Sequence, residues 1–262
     1  MSHILVIGDI NLDVLANVPS SLPVEGEVRT SVRVEAGGSA ASFARAAAGV
    51  GATVEFIGCV GDDLVGDILA ESLERAGVTT HLQRSNGRSG TIVSLKKERG
   101  KTMLCSRGAN DMIDVSLIDE KWFDRADHLH VSGYSFLSKS QRAAAKYAIS
   151  IAQSRKMSIS IDPPPVNLIS SFGVERFLDE IRAAQIVLPN LEEGRLMTGE
   201  DTPKRIVDLL RERFRIGALT MGRDGSIAWD REKRSLHRVE EIDNVDPTGA
   251  GDVFAAGFIV SY

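Results

Sequence analysis

The sequence is poor in cysteine and lacks long apolar runs. Cys59 and Cys105 are the only cysteines among 262 residues, and their spacing matches no metal-binding motif. Neither a disulfide framework nor a cysteine-ligated metal site is therefore expected, and we predict two buried, reduced thiols. Because no 18 consecutive apolar residues occur, the sequence also predicts no membrane-spanning helix.

Motifs of several common enzyme classes are missing as well. The chain has no GxxxxGK[ST] loop, no GxGxxG after its first apolar run, no HExxH and no GxSxG. These absences count against Walker-type nucleotide hydrolases, dinucleotide dehydrogenases, zinc peptidases and serine hydrolases. The net charge of −5 counts against a nucleic-acid partner, which normally requires a clustered basic surface. Because residues 1–8 are typical of a buried strand rather than a signal peptide, we expect a cytoplasmic protein without nucleic-acid or membrane partners.

What is present is an alternation of short apolar runs and helical patterns. The apolar runs are typical of strands buried on both faces, and the longer segments between them carry apolar residues at helical spacing. This alternation predicts an α/β fold, a three-layer, doubly wound, mainly parallel sheet with helices on both faces. The predicted strands are 4–7, 54–60, 128–131, 158–161, 186–188 and 218–220, and the predicted helices are 39–50, 64–76, 141–155 and 203–214.

Two segments, residues 13–35 and 88–106, depart from this alternation. Their polar and apolar residues alternate with a period of two, as in Val28–Val34 and Thr91–Leu95, which predicts half-exposed strands. We interpret them as a small β-sheet lid. Open α/β sheets bind ligands at the carboxyl ends of their strands, and a lid at that edge would cover the ligand. We therefore expect a single domain, residues 1–262, with a lid.

The most distinctive motif is the run of small residues Asp246–Asp252, with the sequence DPTGAGD, directly before a helix-like segment. Such a turn lets several backbone N–H groups point at one anion, aided by the positive end of the helix dipole. Asp252 would lie beside a transferred phosphoryl group, where a carboxylate can accept the proton of an attacking hydroxyl. The run is equally compatible with a structural turn in which Asp252 caps the helix.

Other motifs allow both a functional and a structural interpretation. Gly37-Gly38 precedes the predicted helix 39–50 and permits either close approach of a ligand or a tight turn. The polar residues in Gly8–Asp13 and Pro189–Glu193 follow buried strands, where ligands collect, although capping and turn formation explain them equally well. A carboxylate in the second segment would suit hydrated Mg²⁺. Thr220–Gly225 also follows a strand, and its glycines would flank a nucleotide or build a turn.

Taken in this order, the motifs resemble the ribokinase family, the PfkB-type carbohydrate kinases. The resemblance extends over the whole chain and includes the segment Gly58–Gly66. It implies a ribokinase-like fold, ATP as phosphoryl donor, Mg²⁺ as cofactor and a sugar-like small molecule as acceptor. In some members a monovalent cation such as K⁺ is also bound.

The resemblance also assigns roles to individual residues. It implies that Asp252 is the general base and that Gly249, Ala250 and Gly251 form the anion hole for the transferred group. The candidate acceptor-binding residues are Asn11, Asp13, Gly37, Gly38, Ser42 and Arg107. The implied nucleotide-binding residues are Asn190, Thr220, Gly222 and Gly225. The implied metal ligands are Glu193 for Mg²⁺, through water, and Asp246 and Thr248 for the monovalent cation.

Several features depart from the family pattern. The pattern GGxxxN places asparagine at position 42, where Ser42 offers only a short hydroxyl. Ribokinases proper carry lysine where this chain has Ser39, which weakens the case for ribose. Arg107 lies near the position of an arginine in members that use acidic sugars, and it would pair with a carboxylate; a solvated surface arginine is the alternative. Family members usually continue with further helices after the one that carries Asp252, and we expect these helices to be missing here.

The sequence therefore predicts an ATP-dependent kinase that phosphorylates a hydroxymethyl group of a sugar or sugar acid of the ribose, fructose or 2-keto-3-deoxygluconate type. Two alternatives remain open, a nucleoside kinase of the same family and a non-catalytic ribokinase-like protein that binds sugar or nucleotide. Because exposed strand edges in a lid are usually protected, the sequence also predicts a homodimer formed through the lid.

Overall fold

The computed structural model describes residues 2–19, 21–97, 100–239 and 249–262. The strands in these ranges are β1 (His3–Ile7), β2 (Asn11–Asn17), β3 (Val32–Gly37), β4 (Thr53–Gly61), β5 (Thr79–Ser85), β6 (Thr91–Lys96), β7 (Lys101–Ser106), β8 (His128–Ser132), β9 (Ser158–Asp162), β10 (Ile186–Val187), β11 (Ile216–Thr220), β12 (Ser226–Trp229) and β13 (Arg234–His237). The α-helices are α1 (Ser39–Gly49), α2 (Leu64–Arg75), α3 (Lys139–Ser154), α4 (Val166–Phe172), α5 (Val174–Glu180), α6 (Leu191–Thr198), α7 (Pro203–Arg213) and α8 (Ala250–Ser261).

A nine-stranded sheet with the order β13-β12-β11-β10-β9-β8-β1-β4-β5 occupies the centre of the molecule. The strands from β11 to β5 pair in parallel, whereas β12 and β13 add antiparallel pairs at one edge. This confirms the predicted mainly parallel α/β fold. The six predicted strands and four predicted helices all occur, with ends shifted by at most two residues.

The period-two alternation of β1 divides the core into two layers. Ile4 and Val6 pack with residues of α1, α2 and α8 on one face, and Leu5 and Ile7 pack with residues of α3 to α7 on the other. All four side chains are at most 2% exposed. Because the sheet is covered on both faces, its strands are continuous apolar runs, as expected for parallel strands.

A second, four-stranded sheet with the order β3-β2-β6-β7 forms the lid. Its central strands β2 and β6 pair in parallel, and β3 and β7 flank them in antiparallel pairs. β2 begins only four residues after β1 ends. The lid therefore rises directly from the carboxyl ends of the main strands, the edge at which α/β sheets bind ligands.

The two cysteines differ in their surroundings. Cys59 is buried in the main sheet, as predicted, but Cys105 is exposed, so the prediction of a second buried thiol is wrong. Cys105 lies on β7, whose residues are all exposed because this edge strand has core on neither face. Every helix in the described ranges is too short or too polar to cross a membrane.

Candidate active site

A cleft of about 600 Å³ separates the carboxyl-end edge of the main sheet from the lid. Its walls come from the loop after β1, the lid strands β2, β6 and β7, the loops after β9 and β10, and the first turns of α1 and α8. The predicted site residues that border it are Asn11, Asp13, Gly38, Ser42, Arg107, Asn190, Glu193, Thr220, Gly249, Gly251 and Asp252. The fold thus brings together segments from both ends of the chain.

One side of the cleft, which we call the acceptor side, is built around Asn11. Its Oδ1 accepts a hydrogen bond of 2.9 Å from Nδ2 of Asn110, and its Nδ2 donates to Oδ2 of Asp9 over 3.1 Å. Asn110 also accepts a bond from the backbone N–H of Ile10 and donates to the carbonyl of the same residue. The three polar side chains are each at most 2% exposed. Such a satisfied buried network holds its members in one geometry.

Gly37 and Gly38 permit the close approach of chain segments at this side. A Cβ atom on Gly37 would lie 2.2 Å from Oδ2 of Asp13, and one on Gly38 would lie 2.7 Å from the carbonyl of Asp9. Gly38 also has a φ of 94°, which favours glycine. Of the two, Gly38 borders the cleft and Gly37 makes room for the Asp13 carboxylate.

Asp13 lies in the cleft as a partly desolvated carboxyl group. Burial, together with the negative charge of Asp9, raises its pKa to about 6, and its Oδ1 is buried without a hydrogen-bond partner among the described residues. A buried acceptor atom of this kind is costly unless a donor meets it. A hydroxyl of a bound molecule would supply that donor.

Two further side chains extend the acceptor side. Ser42 borders the cleft and accepts a 3.1 Å hydrogen bond from Nη2 of Arg45. Arg107 borders the cleft with a guanidinium group that donates to Asp111 over 3.2 Å and to Gln141, and it lies over the ring of Tyr134. Arg107 is thus held by three partners at the cleft rather than solvated at the outer surface.

Asp252 lies in the first turn of α8, which packs against α1. Its Oδ1 accepts a 2.9 Å hydrogen bond from the hydroxyl of Ser39. Burial raises the pKa of Asp252 to about 7, against the opposing effect of the Ser39 hydrogen bond. In the same turn, Gly249 and Gly251 border the cleft, while Ala250 opens the helix and is not among the residues that line it.

The other side of the cleft, which we call the nucleotide side, contains Asn190 and Glu193 at the start of α6. They form a capping box, in which Oδ1 of Asn190 accepts from the N–H of Glu193 and Oε2 of Glu193 accepts from the N–H of Asn190, both over 2.9 Å. Thr220, at the end of β11, borders the same side. Gly222 and Gly225 lie in the turn from β11 to β12 and do not border the cleft in the described residues.

Glu193 and Asp162 have the properties expected of carboxylates that hold a cation. Burial raises the pKa of Glu193 to about 7, and burial together with the charge of Glu193 raises the pKa of Asp162 well above its usual value. A nearby cation would relieve both effects. No group of three or more metal-binding side chains is placed for a metal in the described part of the chain. Both carboxylate oxygens of Glu193 accept hydrogen bonds from Asn190, so this side would hold Mg²⁺, which keeps several of its waters, through water.

Three polar residues of the site were missed or left without a role by the sequence reasoning. Asp162 directly follows the predicted strand 158–161 and is the last residue of β9, so the rule applied to Pro189–Glu193 also identifies it. Asp9 lay within a recognised motif but had no individual role. Asn110 has no local signal for its role, because its partners Ile10 and Asn11 on the acceptor side lie about 100 residues away. The predicted cation ligands Asp246 and Thr248 lie outside the described residues.

Comparisons with known proteins agree with this geometry. The chain matches the pfkB family of carbohydrate kinases over residues 1–262. It is 31% identical to the ATP-dependent ribose-1-phosphate kinase of Halopiger xanaduensis, over 100% of this chain and 85% of the relative. It is 25% identical to the ribokinase of Haemophilus influenzae, over 98% of this chain and 84% of the relative.

Solved structures share the fold. The adenosine kinase of Sinorhizobium meliloti superposes with a TM-score of 0.90 at 21% identity, covering 100% of this chain and 87% of that one. The fructokinase of Xylella fastidiosa with bound ATP superposes with a TM-score of 0.85 at 21% identity, covering 99% and 80%. The family match over the whole length, joined to the cleft and fold described above, means that the chain belongs to the pfkB family of carbohydrate kinases, phosphotransferases with an alcohol group as acceptor.

Proposed function

We propose that the protein transfers the γ-phosphoryl group of ATP to a hydroxymethyl group of a sugar-like molecule, with Asp252 as the general base. The observation that carries the proposal is the position of Asp252. Its carboxyl group borders the cleft together with the acceptor side and the nucleotide side, in the first turn of a helix. A base at this position is within reach of both reactants.

The proposed chemistry is a direct in-line transfer. The acceptor oxygen forms its bond to the transferred phosphorus while the bond between that phosphorus and the leaving ADP breaks, and the hydroxyl proton moves to Asp252. A pKa of about 7 suits a base that works near neutral pH. Gly249, Ala250 and Gly251 would offer backbone N–H groups to the transferred group, because first-turn N–H groups have no partner within the helix.

The metal and nucleotide assignments belong to the same proposal. Glu193, through water, and Asp162 would hold Mg²⁺, which neutralises charge on the phosphate oxygens. Asn190, Thr220, Gly222 and Gly225 would contact the nucleotide, although the two glycines do so only if the bound nucleotide extends beyond the cleft as it stands. Asp246 and Thr248 remain the predicted ligands of K⁺. The lid would exclude water, a competing acceptor.

The acceptor side supports a polyhydroxyl acceptor with an acidic group. Asn11, Asp13, Gly38 and Ser42 would surround its hydroxyls, with Gly37 making room for Asp13. Arg107 would bind a carboxylate or phosphate of the acceptor in a two-pronged contact. The relative from Halopiger xanaduensis is named for a sugar phosphate, which is one such acceptor. Replacing Arg107 with Met should raise the KM of acidic acceptors about tenfold and leave that of neutral acceptors unchanged; equal changes would remove Arg107 from this role.

The direct test is ADP release over a panel of sugars, sugar acids, sugar phosphates and nucleosides. One acceptor class should stimulate release in the presence of Mg²⁺ and not after chelation. Asp252→Asn should reduce this release by about 10²- to 10⁴-fold. The exposed Asp201, replaced by Asn, serves as a matched control with no expected effect. If no acceptor stimulates release, the kinase proposal fails, and a binding protein without catalytic activity takes its place.

A homodimer and a cytoplasmic location complete the proposal. The outer lid strands β3 and β7 expose Val32, Val34 and Leu104 by more than half. Exposed apolar edge strands are usually covered, and a second copy would cover them. Light scattering at micromolar concentration should give twice the mass of the chain, and a monomer would contradict the homodimer. The location stays a prediction.

A further inference from the structure

Helix α1 begins without a capping side chain of its own. Its N-cap residue is Gly38, which makes no side-chain cap hydrogen bond. A carboxylate from another element takes this role, because Oδ2 of Asp9 accepts a 3.1 Å bond from the N–H of Ser39. The carbonyl of Asp9 also accepts a 3.2 Å bond from the N–H of Ala41. Asp9 therefore fixes the start of α1 relative to the end of β1.

The same carboxylate is tied to the acceptor side. Its Oδ2 also accepts from Nδ2 of Asn11 over 3.1 Å, and its Oδ1 accepts from the hydroxyl of Ser132 over 3.0 Å. Asp9 is 2% exposed, so its side chain is enclosed by these donors. A buried carboxylate with several donors has one well-defined position.

Ser39 connects Asp9 to Asp252 through two hydrogen bonds. Its backbone is held by Asp9, and its hydroxyl donates to Oδ1 of Asp252 over 2.9 Å. The bond engages one carboxylate oxygen and thereby sets the orientation of the other. Two residues 213 positions apart in the sequence are joined in this way. Neither a loop nor a flexible long side chain intervenes between Asp9 and Asp252.

We propose that Asp9 and Ser39 are positioning residues that link the acceptor side to the general base. Asp9 aligns Asn11 and Ser39 together, and Ser39 orients the carboxylate of Asp252 toward the acceptor hydroxyl. This inference rests on the proposed function, because it takes Asp252 to be the base. The inference gives a physical role to Ser39, which stands where ribokinases proper carry lysine. The backbone of Ser39 is held by Asp9, and its hydroxyl is close enough to donate to the base.

The charges around Asp252 make the two residues distinguishable. The Ser39 hydrogen bond lowers the pKa of Asp252, whereas the negative charge of Asp9 raises it. The other groups that face Asp252 are Arg45 on α1, Asp13 on β2, Asp162 at the end of β9, and Tyr134. These groups are unchanged in the variants below, so a shift in the pH profile reports on the residue that was replaced.

The first experiment replaces Ser39 with Ala and, separately, with Thr. Ser39→Ala should lower kcat by roughly 10- to 100-fold, the range expected for a hydrogen bond to a charged group, with little change in acceptor KM. Because the lost hydrogen bond lowers the pKa of Asp252, the acidic limb of the kcat/KM profile of Ser39→Ala should move to higher pH. Ser39→Thr keeps the hydroxyl and should recover most of the activity. Ser150→Ala removes an exposed hydroxyl that donates to the carbonyl of Tyr147 within α3, and it should change neither kcat nor the pH profile.

The second experiment replaces Asp9 with Asn and with Ala. In Asp9→Asn the single amide oxygen can accept from Ser39 and Asn11, while the amide nitrogen has to donate to the hydroxyl of Ser132. The negative charge is lost, so the acidic limb of this variant should move to lower pH, opposite to that of Ser39→Ala. Asp9→Ala loses the bonds to both neighbours and should raise acceptor KM and lower kcat together. If Asp9→Ala fails to fold, Asp9→Asn still decides the question.

The outcomes separate this inference from the proposed function. Opposite shifts of the pH profile, with rescue by Thr, support the positioning roles. Unchanged kcat and pH profile in Ser39→Ala, or shifts in the same direction, overturn them while an inactive Asp252→Asn still supports the base. Full activity in Asp252→Asn overturns the proposed function instead.

Discussion

The two sides of the cleft are assembled in different ways. On the nucleotide side, Asn190 and Glu193 form a local capping box three residues apart in sequence. On the acceptor side, Asn110 bonds to Ile10 across 100 residues and Ser39 bonds to Asp252 across 213. Local motifs can survive changes elsewhere in the fold, whereas the acceptor side depends on the correct packing of β1, α1, α8 and the segment that carries Asn110. We therefore expect the acceptor side to be the more sensitive of the two to substitution.

The largest effect is expected for Asn110→Ala. The change removes the side-chain partner of both backbone groups of Ile10 and of Oδ1 of Asn11 in a buried setting. We expect a loss of about 2–3 kcal/mol in the free energy of unfolding and at least a tenfold rise in acceptor KM, with ATP affinity nearly unchanged. Urea unfolding and steady-state kinetics measure both. Asn167→Ala, at an exposed position on α4, is the control. A similar loss of ATP affinity would remove the distinction between the two sides.

This difference also explains how far the sequence could predict the site. The motif Asn190–Glu193 and the glycine turn before Asp252 are local, so their residue types were visible without the fold. The contacts of Asn110 and the bond between Ser39 and Asp252 join distant segments and follow only from tertiary packing. The exposure of Cys105 was mispredicted because burial on an edge strand depends on its neighbours rather than on residue type.

The fold itself was more predictable where segments were long and periodic. The central strands of the main sheet are buried on both faces and stand out as apolar runs. Helices α4 and α5 were not predicted, since each has seven residues, about two turns, which is too short for a periodic pattern. Strand β13 was also missed because its four residues are all exposed and carry no apolar alternation.

A somewhat smaller effect on the free energy of unfolding is expected when the pH is lowered, because β8 of the main sheet carries two buried histidines. His128 and His130 are buried in β8, and His130 stacks on Phe43 of α1 with ring centroids 3.5 Å apart. Burial lowers the pKa of His128 to about 3 and that of His130 well below its usual value. Since the unfolded chain binds these protons below about pH 6.5, the contribution of the two neutral histidines to stability is complete above that pH and declines as the pH falls. The four carboxyl groups of the cleft with raised pKa values contribute in the opposite sense.

The decline should approach about 1.4 kcal/mol per pH unit for each histidine. Urea unfolding at pH 7.5, 6.5 and 5.5, compared between the wild type and His130→Leu, isolates the contribution of His130, because the carboxyl groups are common to both proteins. The exposed His237, replaced by Asn, should not change the slope. The same pH dependence in the wild type and in His130→Leu would contradict a buried, neutral His130 in the folded protein.

The smallest effect is expected on the nucleotide side, for Glu193→Gln. Glutamine is accepted at the third position of a capping box, so the free energy of unfolding should fall by less than about 1 kcal/mol. Loss of the carboxylate should raise the KM for ATP with Mg²⁺ by roughly tenfold and change acceptor KM by less than twofold. Kinetic titration at fixed free Mg²⁺ measures both. Glu192→Gln, an exposed neighbour, is the matched control. An effect on acceptor KM equal to that on ATP would show that the sides are coupled here.

The central claim is that Asp252 joins the two sides as the base of the transfer. The most direct measurement is the pH profile of kcat/KM for the preferred acceptor, in the wild type and in Asp252→Asn. The wild-type rate should rise with pH through an apparent pKa near 7, and the small residual rate of the variant should lack this limb. A variant that keeps the wild-type rate, or keeps the same limb, would contradict the claim.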